Sequence, residues 1–147
     1  MRKVERRVKS YTIDQLWLGQ SASFSKTVTE HDIYTFAGIT GDFNPAHINE
    51  DYGKGTRFGG RIAHGILSAG FISAVIAMQL PGPGTIYLSQ NLKFTAPVHI
   101  GDTVTATVTV TAVDPARNRA LLSTVCTTKG GACTVIEGDA LVMPPLK

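Results

Sequence analysis

Polar and apolar positions along this chain of 147 residues follow two different periods, one in each half. An alternating stretch at 22–28 predicts a short strand. Thr29 then reads as a helix start, with Asp32 three residues on completing a capping box, and Ile33, Phe36 and Ala37 fall at helical spacing on the inner face. Gly41 is a natural stop for that helix. Pro45 blocks its resumption and biases Asn44 towards extended backbone, so 42–47 is expected to be a constrained loop. The Gly-rich segment 51–60 reads as a loop or broken helix. From His64 to Gln79 the sequence is apolar on nearly every side, which predicts a fully buried helix. Along it Gly65, Ala69, Ser73 and Ala77 form a row of small residues, and Leu67, Phe71 and Val75 a bulky one.

Pro81-Gly82-Pro83-Gly84 ends that helix, and the period then changes to two. Residues 85–95, 102–113, 118–128 and 132–142 read as strands rich in Thr, Val and Ile. Successive antiparallel strands with one apolar helix predict an α+β fold in which a curved sheet wraps a long central helix. The length suits a single domain spanning 1–147, and no internal repeat or linker breaks it.

Charge changes this picture only at the N-terminus. Five of the fourteen basic residues (Arg2, Lys3, Arg6, Arg7 and Lys9) stand in the first nine positions, so the net charge of +3 belongs to a solvated tail at about 1–10. The rest is nearly neutral, which argues against a nucleic-acid partner. No apolar run follows those first charges, as a secretory signal would require. The apolar stretch from Ile62 to Leu80 is broken by His64, Ser68, Ser73 and Gln79, which favours a buried helix over a membrane span. These features lead to the expectation of a cytoplasmic protein. Cys126 and Cys133 flank a Lys129-Gly130-Gly131 turn and are expected as reduced thiols, with a cross-hairpin disulfide as the alternative.

The candidate chemistry lies in Asp42-Phe43-Asn44-Pro45-Ala46-His47 and in Arg61-Ile62-Ala63-His64-Gly65. The first places a carboxylate and an imidazole five residues apart on a stiff segment. The second offers a glycine at a helix start, where free backbone N–H groups and the helix dipole favour negative charge. Together they supply a base, a proton carrier and a carbonyl-oxygen donor, the parts needed to add water across an activated double bond. Asp42 alone reads equally as a polar turn residue and His47 as a structural histidine; it is their joint occurrence that carries the functional reading. A metal held by Asp42, His47 and His64 lacks compact ligand spacing in the sequence, and no serine stands in a glycine-flanked nucleophile turn.

Gly41 to His47, Phe58 to Gly65 and Phe94-Thr95-Ala96-Pro97-Val98, with Gly101-Asp102, resemble the MaoC-like (R)-specific enoyl-CoA hydratases over residues 12 to 144. The resemblance implies a hot-dog fold, a homodimer whose two sheets join edge to edge, an acyl-CoA substrate and no metal or redox cofactor, coenzyme A entering only with the substrate. It assigns Asp42 as principal base, His47 as the group that positions water and shares the proton transfer, and Gly65 N–H as the oxyanion donor, with His64 shaping the helix entry. Partial burial of Asp42 is expected to raise its basicity. The acyl chain is expected beside Ile76, eleven residues and about three turns beyond Gly65. Ser73 and, on the last strand, Leu141 are expected beside it. Arg57, Arg61 and the N-terminal bases are weaker candidates for the coenzyme A phosphates. Competing readings are a hot-dog thioesterase, against which stands the absence of Asp or Glu from 65–80, a dehydratase acting on carrier-protein thioesters, and a non-catalytic acyl-CoA-binding or assembly subunit.

Overall fold

The structure, a computed structural model, describes residues 9–147, and most of the expected basic tail lies outside the described residues. The elements run β1 (Ser21–Thr27), α1 (Glu30–Thr40), α2 (Pro45–Ile48), α3 (Glu50–Lys54), α4 (Gly65–Met78), β2 (Ile86–Phe94), β3 (Thr103–Asp114), β4 (Arg119–Thr128) and β5 (Cys133–Met143). The strands form one antiparallel sheet in the order β1-β3-β4-β5-β2, so β1 and β2 are its edges. Helix α4 packs on the face made by β1, β3 and β4. This is the expected α+β hot-dog arrangement.

The period of two explains which face is covered. Val104, Ala106, Val108 and Val110 of β3 point inward, as do Ala120, Leu122, Thr124 and Cys126 of β4, and all are buried. They meet Phe71, Ile72, Val75 and Ile76 of α4 in one core. Contrary to the expectation from its composition, α4 is not buried all round. Ile66 is 55% and Met78 59% exposed, because the five strands reach only one side of the helix. The cysteines are free thiols, as expected, and do not face one another across the hairpin. Cys133 lies opposite Thr128 and Cys126 opposite Ile136. Burial pushes the Cys126 thiol up to about 12.

A short helix, α2, stands where a constrained loop was expected, and the segment expected as a loop or broken helix begins with the five-residue α3. Pro45 starts α2 instead of preventing a helix, because proline is tolerated in a first turn, where no N–H is needed. The Asn44 side chain caps it by accepting from Ala46 N–H at 3.0 Å. In α3, Gly53 lies against the backbone of Gly60 and Arg61, and an added Cβ would sit 2.7 Å from Gly60 C and Arg61 N. Glycine there permits close packing of two chain segments.

Helix α1 is anchored as its sequence predicts. Thr29 and Asp32 form a reciprocal capping box, and Gly41 ends the helix at φ 80°. Lys26 Nζ also lies 2.5 Å from Asp32 Oδ2. Burial works to raise the Asp32 carboxyl, but the bonds from Lys26 and from the Thr29 backbone and hydroxyl outweigh it and hold the group at about 2, below its ordinary 3.8. A carboxyl depressed on folding stabilises the fold above its unfolded value and loses that contribution as pH falls to the folded one. Thermal melts should therefore show a stability loss between about pH 4 and pH 2 that is flattened in Asp32→Asn. That variant should also be less stable at neutral pH, by about 1 kcal/mol for the cap.

Candidate active site

Three chain segments deliver the site. The turn after α1 carries Asp42, whose N–H donates to Thr40 Oγ1 and whose Oδ1 accepts from Asn44 N–H, both at 3.2 Å. One carboxylate oxygen is thus tied to its own turn. His47 stands in α2, where its Nδ1 donates to Ile62 O at 2.7 Å. A carbonyl can only accept, so the neutral ring keeps its proton on Nδ1 and presents a free lone pair at Nε2. Ile62 in turn donates its N–H to Ala46 O at 3.1 Å and pairs with His99, while Ala63 N–H donates to Val98 O at 2.7 Å. These bonds fix the lead-in to α4, whose first residue is Gly65.

His64 immediately precedes α4 and is 2% exposed. Its Nε2 donates to the main-chain oxygen of Asp42 at 2.9 Å. Its ring stacks on His47, with centroids 3.9 Å apart and planes at 33°. Ligand-type atoms of Asp42, His47 and His64 thus lie within 4.8 Å of one another, a closeness that the sequence spacing did not reveal. Each ring has one nitrogen engaged with a main-chain oxygen, His47 Nδ1 and His64 Nε2, which leaves one nitrogen of each without a protein partner. The arrangement suits a small hydrogen-bonding molecule held by Asp42 and the Nε2 of His47.

A cavity of about 380 Å³ opens beside His47, lined by it and by Gly65, Phe94, Pro97 and Ile136 among others; Asp42 and His64 are not among its walls. Gly65 is exposed to it, and as the first helical residue its N–H has no acceptor within α4. A Cβ on Gly65 would come within 2.5 Å of the Phe94 ring, so glycine is what lets that ring, and anything lying in the cavity, approach the backbone. Arg57 is on the rim, with its guanidinium 5.0 Å above the Phe58 ring. Arg61 is placed otherwise. It is paired with Glu30 and Glu50 and donates to Tyr34 Oη at 3.2 Å, holding α1 against α3. The bonds to Glu30 and then Glu50 raise the pKa of its guanidinium further.

The remaining expected residues lie elsewhere. Ser73, Ile76 and Leu141 do not line this cavity. Ile76 shares a helix face with Gly65 but lies about 16 Å further along the axis, packed in the core. Asp42 is exposed, because its turn projects from the end of α1 and none of the other described residues covers it; the partial burial expected for it is not found. Phe94 and Ile136 were missed as cavity walls. Only the pairing of β2 with β5 brings them together, opposite one another.

A family profile for the MaoC-like domain matches residues 17–130. The chain belongs to that family. It is 60% identical over 129 residues to an (R)-specific enoyl-CoA hydratase of Rhodospirillum rubrum, covering 88% of each chain. It is also 46% identical to a 3-hydroxybutyryl-CoA dehydratase of Methylorubrum extorquens, over 91% of this chain and 84% of that one. Among solved structures, an unliganded R-hydratase of Pseudomonas aeruginosa superposes with a TM-score of 0.89 at 41% identity, covering 95% of this chain and 89% of the other. MaoC-like relatives at this level of identity cover the whole segment from Asp42 to Gly65.

The hydrogen bonds fix opposite tautomers for two stacked rings. Long-range 15N–1H correlation spectra, recorded where both rings are neutral, should show His47 protonated at Nδ1 and His64 at Nε2. The reverse assignment for His47 would remove its free Nε2 and with it this account of the site.

Proposed function

We propose that this protein adds water reversibly across the double bond of trans-2-enoyl-CoA, giving (R)-3-hydroxyacyl-CoA. The observation that carries this reading is one cavity lined by His47, whose Nε2 is free, and by Gly65 with its open N–H, with the Asp42 carboxylate close to that histidine. The hydratase and dehydratase relatives supply the substrate class and the stereochemical label.

The chemistry follows from the parts. Water held between Asp42 and His47 gives up a proton to that pair as its oxygen bonds to C3. The double-bond electrons move onto the thioester, whose oxygen gains negative charge and accepts from Gly65 N–H. The enolate then takes a proton from the pair at C2, which restores the carbonyl and completes the addition of one water. Run backwards, the same steps dehydrate the hydroxyacyl thioester. No step requires a metal or redox cofactor. A thioesterase reading is weaker, since α4 carries no carboxylate to activate water at the thioester carbon.

The working unit in this proposal is a homodimer in the cytoplasm, with the chain serving as one domain. The exposed side of α4 and the edge strand β2, where Ile86, Tyr87, Leu88 and Phe94 are open to solvent, are apolar surfaces that a second copy would cover. None of the described helices is long and apolar enough to cross a membrane.

Loss of enoyl-thioester absorbance on mixing with crotonyl-CoA tests the activity, with a free-thiol probe alongside. The wild type should consume substrate without releasing thiol, and Asp42→Asn should be slower by at least about 10²-fold. Thiol release would move the protein to the thioesterases. Gly65→Ala and Gly65→Pro isolate the oxyanion donor. Both add a Cβ against Phe94, and proline is tolerated as a first helical residue, particularly after His64 at ψ 129°. Only the proline deletes the N–H, so it should lower kcat by about a further 10²-fold.

Sedimentation equilibrium should give twice the mass of the chain, and Leu88→Lys on the β2 edge should shift it towards the monomer. A monomeric wild type with full activity would overturn the dimer.

A further inference from the structure

His64 takes no proton and touches no substrate in the reaction above, yet it contacts all three of its parts. Its Nε2–H holds the main-chain oxygen of Asp42, its ring lies against that of His47, and its own carbonyl carbon is bonded to the nitrogen of Gly65. Phe36 of α1 packs on the imidazole with centroids 4.7 Å apart. The ring is therefore held by neighbours that themselves belong to the fold, and is not free to follow a moving loop.

Its other nitrogen shows why packing alone does not account for a histidine here. His64 Nδ1 is buried and has no hydrogen-bond partner. A buried acceptor left unpaired weakens a fold, and a leucine of similar size would fill the same space without it. What a leucine lacks is the Nε2 donor to Asp42. Asp42 is exposed, so without that donor its carbonyl is readily satisfied by water, and the turn carrying the carboxylate loses its tie to α4.

We infer that His64 is a positioning residue, a neutral imidazole that locks the Asp42 turn and the His47 ring to the start of α4 so that base, proton carrier and oxyanion donor keep one geometry. The inference rests on the hydratase reading above. Its effect falls on the chemical step, because orientation of the reacting groups sets kcat more than it sets substrate affinity.

Two variants test this with crotonyl-CoA. His64→Leu keeps the volume and removes both nitrogens. It should leave the melting temperature unchanged or raised, lower kcat at least tenfold, and keep KM within threefold. His64→Gln restores an amide N–H near the position of Nε2, and should keep kcat within threefold of wild type. A Leu variant with wild-type kcat overturns the inference. So does a folded Gln variant whose kcat falls as far as that of Leu, since the donor would then not be what matters. Should the Leu variant fail to fold, the comparison of Gln with wild type decides alone. A wild type that does not hydrate crotonyl-CoA at all would instead defeat the hydratase reading, a result separate from either variant.

Discussion

The site depends on a two-point clasp at one backbone residue. Ile62 donates its N–H to Ala46 O and accepts His47 Nδ1–H on its own carbonyl. Helix α2 has four residues, far below the length at which a helix holds itself together in water. Its Asn44 cap and Pro45 favour the turn, but the clasp ties His47 to the backbone that leads into α4, and the His64 ring stacked on it holds it from the side. Ile62 lies three residues before Gly65, so the same bonds that aim the imidazole also fix the start of α4. The imidazole and the Gly65 N–H thus share one anchor, and a strain that displaced Ile62 would move both.

That anchor is rigid because of what lies behind it. The pairing of Ile62 with His99 and the bond from Ala63 N–H to Val98 O attach the segment to the chain between β2 and β3. Ala63 and Val98 are themselves part of the core that includes Ile72, Val75 and the inner face of β3. Hydrophobic burial is non-directional, but here it fixes where α4 begins, and hydrogen bonds convert that into direction. On the other side, Arg61 joins Glu30 of α1 to Glu50 of α3, which frame the turn and helix carrying Asp42 and His47. The Arg61 side chain is largely covered but both glutamates are about half exposed, so the pairs serve more to hold position than to add stability.

The elements were legible in the sequence wherever one period ran long enough. The four later strands and α4 fall within a residue or two of their expected limits, and the α1 capping box forms as written. Helix α2 was not legible, and α3 only as a loop or broken helix, since four or five residues carry too little period to separate helix from turn. That Asp42 and His47 come close in space was readable from their spacing of five on one short segment, and Gly65 was readable as the residue that opens α4. The contact between His64 and His47 was not, because seventeen residues and two turns separate them and only the tertiary path closes the gap. Ile76, which does not line this cavity, shows a limit of helical spacing. Angular position on a helix is readable from spacing, but the depth of the cavity along the axis is set by Phe94 and Ile136, which arrive from the sheet.

The helices differ in how their N-termini are treated, and the difference bears on function. Helix α1 has a threonine cap with Glu30 and Asp32 in its first turn, and α3 has Asn49 as cap with Glu50 and Asp51. Those side chains satisfy free N–H groups and offset the dipole. Helix α4 is the longest and begins with neither: His64 makes no side-chain cap bond, and no acidic residue follows in the first turn. Omitting a cap costs about 1 kcal/mol, which fourteen apolar and small residues packed on a sheet readily absorb. In return the N–H of Gly65 and the positive end of α4 stay available to whatever negative charge develops in the cavity. A carboxylate placed in that first turn would strengthen the helix and oppose the enolate oxygen, so in α4 stability at the N-terminus and catalysis pull in opposite directions.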